Sequence, residues 1–165
     1  MAEHESYDLR IAFVDIIMFE DGAFRGGVLV TDYETRPYEF RVTSPIKPTQ
    51  LQKLLYGASL TEYVYGELIG LPLLNHVREK ISLAICVREN LLTARPGLQF
   101  PLVVLKKSSR DDSVAVQSHR DFPGEQAHAE LIIHDMHQRH DLGEPFHRLK
   151  MAVSEVHTHR IDQKT

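Results

Sequence analysis

Two acidic residues stand where acids are costly. In Ser59-Leu60-Thr61-Glu62-Tyr63-Val64-Tyr65-Gly66-Glu67-Leu68-Ile69-Gly70, the apolar positions 60, 63, 64, 68 and 71 follow the spacing of one buried helical stripe. Glu67 falls inside that stripe, and Ser59 followed by Glu62 has the capping-box form that opens a helix. In the run Leu-Arg-Ile-Ala-Phe-Val-Asp-Ile-Ile-Met, residues 9–18, Asp15 is the one acid in a segment that is apolar on both alternating faces. A carboxylate turned into a core costs several kcal/mol unless it is paired, protonated or bound to a metal, which makes Asp15 and Glu67 the first candidates for chemistry. Two plainer readings compete. A helix phased one residue differently leaves Glu67 at the solvent boundary, and an Asp15 that accepts backbone or Arg hydrogen bonds is purely structural.

Histidine is the other enriched group: eight of the ten lie between His119 and His159. His134, His137 and His140 recur at i, i+3 and i+6, a sweep that drifts around a helix, so two of them could share a zinc ion but not comfortably all three. His157 and His159 add a pair, yet the chain has a single cysteine and no His-Glu-x-x-His pattern. A solvated polar face competes with any metal role, and His128 or His119 is the candidate proton shuttle beside an acidic site. Other chemistries lack their motifs. Gly26 and Gly27 precede a strand and no Gly-Lys-Ser/Thr follows; Ser59 has no Gly-x-Ser-x-Gly elbow; Cys86 lies mid-strand, where a thiolate would be desolvated. The Lys106, Lys107 and Arg110 cluster is offset at once by Asp111 and Asp112.

These side chains need elements to hold them. Residues 9–18 read as a central strand, Phe24 to Thr31 as a second strand joined by a tight turn, and Tyr38, Phe40 and Val42 alternate with polar residues as in a third. Residues 49–71 form one broken helix or two short ones, ended by Pro72; Ile81 to Val87 is a fourth strand, and Phe100 to Leu105 a fifth. Residues 106–124 are polar, with a Val114-Ala115-Val116 island that is either an extra strand or a mobile loop. Gln126 to His140 is a helix, and Pro145 opens another whose apolar stripe is Phe146, Leu149, Val153 and Val156. At 165 residues and 42% hydrophobic content, one domain is expected over 1–165, with a core at 7–106 and a C-terminal helical region at 124–158.

The order of three strands, a helix, two further strands and terminal helices is an α/β arrangement on a mixed five-stranded sheet. With Asp15 in the first strand and Glu67 on the first helix, it resembles the ribonuclease H-like superfamily. The resemblance implies carboxylates that hold magnesium (manganese as a substitute) for phosphodiester cleavage, so nucleic acid is the implied partner. Asp15 matches the first-strand acid and Glu67 the first-helix acid; Glu89 is a poorer match to the acid beyond the fourth strand, and Asp135 matches the terminal-helix acid. The implied catalytic set is Asp15, Glu67, Glu89, Asp135 and His128, with Asp15, Glu67 and Asp135 on the metal. Arg88 could neutralise Glu89, which also leaves room for a degenerate, inactive member.

The alternative is a non-catalytic binding or regulatory protein, self-associating as a homodimer or meeting a partner through the 49–71 helix and the Phe146 stripe. The formal charge of −4 argues against coating nucleic acid non-specifically, though not against a local basic patch. The N-terminal Met-Ala-Glu-His-Glu-Ser has no export signature, no window reaches the length of a membrane span, and the lone Cys86 suits a reducing compartment. Cytoplasm is the expected location.

Overall fold

The structure is a computed structural model and describes residues 8–162; residues 1–6, read above for an export signal, lie outside them. Six strands form one sheet: β1 (Ile11–Met18), β2 (Phe24–Thr31), β3 (Pro37–Val42), β4 (Leu83–Cys86), β5 (Leu102–Lys107) and β6 (Val114–Ser118). Their order is β3-β2-β1-β4-β5-β6. The first three make an antiparallel meander, β4 and β5 run parallel to β1, and β6 returns antiparallel to β5. The architecture is α/β, and its first five strands have the order and sense expected of a ribonuclease H-like sheet. The sixth is the Val114 island, held along β5 from Val103 to Lys107 and burying Val116.

Alternation along β1 assigns the two faces of the sheet. Ala12, Val14 and Ile16 join the cluster that contains Val64, Ile69 and Leu73 from the crossover helix. Ile11 and Phe13 pack with Ile132, Ile133 and Met136 of α2 (Glu125–Arg139), and Ile17 packs with Leu149 and Val153 of α3 (Gly143–Asp162). Phe146 meets Phe13 edge to face, at 5.4 Å between ring centroids. The apolar stripe of α3 is therefore spent inside the chain, not kept for a partner. Asp15 has the parity of Phe13 and Ile17, so it belongs to the face covered by the C-terminal helices, opposite the crossover helix.

That crossover is continuous but not uniform. It comprises α1 (Gln50–Tyr56), a 3-10 turn (Gly57–Ser59), an α-turn (Leu60–Glu62), a π-helix (Tyr63–Gly70) and a last α-turn (Leu71–Asn75). The capping box sits at its start, where the Thr49 side chain accepts from the Gln52 N–H and the Gln52 side chain accepts from the Thr49 N–H. Ser59 makes no cap; its hydroxyl donates to the Tyr56 carbonyl at 2.7 Å. The π-helix takes an extra residue per turn and so rotates the residues that follow relative to a 3.6-residue stripe. Its buried residues are Val64, Gly66, Ile69 and Gly70, and Glu67 is exposed. Packing on this face is set by close approach: a Cβ on Gly66 would lie 1.7 Å from Thr93 Oγ1, and one on Gly70 would lie 2.8 Å from Leu91 Cδ2.

Candidate functional site

β4 pairs with β1 only as far as Phe13 opposite Ile85. Two residues further on, that register brings Asp15 level with Val87, next to Arg88, at the carboxyl end of the parallel pair. Crevices at such strand ends are where ligands of open α/β sheets bind. Asp15 is buried, and its Oδ1 accepts from the Ile16 N–H at 2.8 Å and from Arg88 Nε at 2.7 Å. Burial opposes the Arg88 charge, but the Asp15 hydrogen bond and charge outweigh it and raise the guanidinium's pKa above its ordinary value. Among the described residues, the two terminal nitrogens of Arg88 have no hydrogen-bond partner. Around this pair lies a cavity of about 380 Å³ lined by Asp15, Ile16, Ile17, Met18, Tyr65, Arg88 and Lys150. Lys150 is exposed and makes no ion pair among the described residues. At the carboxyl end of β4, burial pushes the Cys86 thiol up to about 12, which keeps it protonated.

The other acids expected to join Asp15 stand elsewhere. Glu67 lines a separate cleft with Tyr56, Glu62, Tyr63 and Thr93, on the opposite side of the sheet, so it does not face Asp15 as the helical stripe suggested. Glu89 is exposed and pairs with Lys106 at 2.9 Å, which holds its carboxyl below the usual range. Asp135 accepts the Tyr33 hydroxyl and lies 3.8 Å from Arg139; burial, with Asp135 second, drives the Tyr33 phenol strongly upward. His128 is exposed on α2. His119 accepts from the Asp121 N–H at 3.0 Å, and the rings of His134 and His137 meet the Val114 and Asp112 carbonyls at 3.2 and 2.7 Å. These last two pin the β5–β6 hairpin to α2.

Magnesium prefers oxygen ligands, commonly one or two carboxylates completed by water and substrate phosphate. Here the cavity offers one carboxylate, already bonded to a guanidinium, beside a second cation and a phenol. Among the described residues no three His, Cys, Asp or Glu side chains are grouped to hold a metal. The donor set does not fit the ion that the carboxylates suggested. What sequence reasoning missed was Arg88 as a partner of Asp15 and the approach of Tyr65 and Lys150. The available signal was positional, because Arg88 follows the end of the strand that must pair with β1.

A second cavity, of about 530 Å³, adjoins the first through Ile17, Met18 and Lys150 and continues along Phe19, Glu20, Asp21, Ser154, His157 and Thr158. His157 is buried and stacks on Phe19 with ring centroids 3.8 Å apart. Its Nδ1 accepts from Arg25 Nε at 2.9 Å, which places the imidazole proton on Nε2, 3.4 Å from Asp21 Oδ2. The sequence marks His157 only as one of a pair with His159 and gives no sign of Arg25 as its partner, since the contact spans β2 and α3.

No family model and no curated protein matches this chain. Among solved structures it is similar to a variant of endonuclease V from Ciona intestinalis in complex with a 23mer DNA containing an inosine followed by a ribo-adenosine. The two share 12% identity and a TM-score of 0.39, over 60% of this chain and 46% of that one. This chain therefore matches less than half the length of that endonuclease.

Proposed function

We propose that the chain is a degenerate ribonuclease H-like protein that binds nucleic acid through a phosphodiester and does not cleave it with metal ions. The observation that carries this reading is the Arg88 guanidinium, 2.7 Å from Asp15 in the crevice at the end of β1. Where a metal-dependent nuclease needs carboxylates that recruit a dication, this crevice holds a fixed positive charge with free N–H groups and Lys150 beside it. A guanidinium fork suits phosphate oxygens, and it neutralises the one acid that would otherwise repel them. The test is fluorescence anisotropy of a labelled oligonucleotide in chelator, run beside a gel assay for cleavage in magnesium and in manganese. Binding in chelator that weakens with salt and drops at least tenfold in Arg88→Ala, with no cleavage in either metal, is the expected result. Metal-dependent cleavage that Asp15→Asn abolishes would restore the nuclease reading.

A second reading has its own observation. α1 buries no residue and exposes Leu51, Leu54 and Leu55 by 64%, 70% and 74%. Isolated helices of this length are marginal in water, so contact with a second copy or another protein would stabilise it. Sedimentation of wild type against Leu54→Glu tests self-association; a monomer in both sets it aside.

A further inference from the structure

The two adjoining cavities make one groove whose ends differ in charge. At one end Arg88 and Lys150 outnumber the single carboxylate of Asp15; at the other, Glu20 and Asp21 from the β1–β2 turn present two carboxylates, with Lys47 3.9 Å from Asp21, and between them lie the apolar side chains of Ile17, Met18 and Phe19. A phosphate is favoured at the first end over the second. The second end favours neutral N–H donors carried on an apolar plane, which describes the edge and faces of a nucleobase. The Glu20 carboxylate has no partner among the described residues and is available to accept such donors. Asp21 is held in place by the Ala23 N–H at 3.0 Å and faces His157. A base stacked inside a duplex presents neither face to a cavity wall and cannot enter without leaving its helix.

We infer that the groove takes one nucleotide of a single strand, its phosphate at Arg88 and Lys150 and its unpaired base in the chamber between the β1–β2 turn and α3. This rests on the nucleic-acid reading above and adds the selectivity that reading lacks: single strand over duplex, and base-bearing over abasic. Lys150, shared by both cavities, bridges the two halves.

The experiment is anisotropy in chelator with labelled adenosine octamers, as DNA and as RNA, against the same octamers carrying abasic sites and against their duplexes. Wild type is expected to hold the base-bearing single strand at least tenfold tighter than the abasic strand and the duplex, whichever sugar it prefers. Thr158→Trp fills the chamber from its exposed rim, and Ser154→Leu fills it from the wall. Each should lower base-bearing affinity to the abasic level and leave abasic affinity within twofold, and a circular-dichroism melt identifies any variant that fails to fold. Equal affinity for base-bearing and abasic strands, with both lost in Arg88→Ala, would overturn the base chamber and leave the phosphodiester reading standing. Absence of binding to every strand would overturn both.

Discussion

Asp15 is the residue on which sequence and structure meet. Its peculiarity was visible as a lone acid in an apolar strand, and the two explanations of it predict opposite signs on mutation. Facing a second carboxylate, Asp15→Asn would relieve repulsion and stabilise the fold. Bonded to Arg88 and to the Ile16 N–H, it loses charge-assisted hydrogen bonds, and we expect destabilisation by about 1.5–3 kcal/mol. Denaturant melts in chelator read the sign directly. The same melts on Arg88→Met and on the double variant should give less than the sum of the single effects, since both remove one interaction. A stabilised Asn variant would contradict the ion pair. The partner itself was not legible because it depends on the register of β1 against β4, two strands separated by the whole crossover. Arg88 drew notice only as a neighbour of Glu89, whose true partner is Lys106.

At the scale of elements, the strands were readable and the helix phase was not. Strand alternation has a period of two that the register shift at Val30/Thr31 against β3 leaves intact along β1, whereas a helical stripe presumes one constant pitch. The Tyr63–Gly70 π-helix breaks that presumption, and the true contact face is marked by the absence of side chains at Gly66 and Gly70. Hydrophobicity alone passes over glycine, so the apolar stripe points Glu67 inward where the molecule turns it outward. The same device recurs where α3 crosses β2: a Cβ on Gly27 would lie 2.5 Å from Val153 Cγ2 and 3.0 Å from Leu149 Cδ1. Gly27 is the register partner of Asp15, so the crossing also sets how closely α3, with Lys150 and His157, approaches the groove. Gly27→Ala should cost about 1–3 kcal/mol through overpacking, seen as a lower denaturant midpoint at unchanged slope, and Val153→Ala in the same chain should recover part of the loss. An unaffected midpoint would mean that α3 can retreat freely, and the groove would then lack a fixed wall.

For the whole molecule, the question is which ligand the folded state prefers, and linkage answers it without any assay of cleavage. Among the described residues no helix is long and apolar enough to cross a membrane, and the formal charge of −4 gives no general attraction to nucleic acid, so the proposed recognition rests on the local Arg88 and Lys150 field. A ligand that binds only the native state raises stability by RT ln(1 + [L]/Kd), about 2.7 kcal/mol at a hundredfold excess over Kd. For a chain of this size each kcal/mol moves Tm by roughly 2–4 °C. A saturating adenosine octamer in chelator should therefore raise Tm by about 5–10 °C, an effect that shrinks with added salt because phosphate contacts release counterions. Magnesium at millimolar concentration should leave Tm within about 1 °C, since the crevice carboxylate already holds a guanidinium and a dication would meet two cations of the same sign. If instead magnesium raises Tm and Asp15→Asn cancels the rise, the Arg88 pair must open to admit the ion, and the crevice would be a metal site in a closed state.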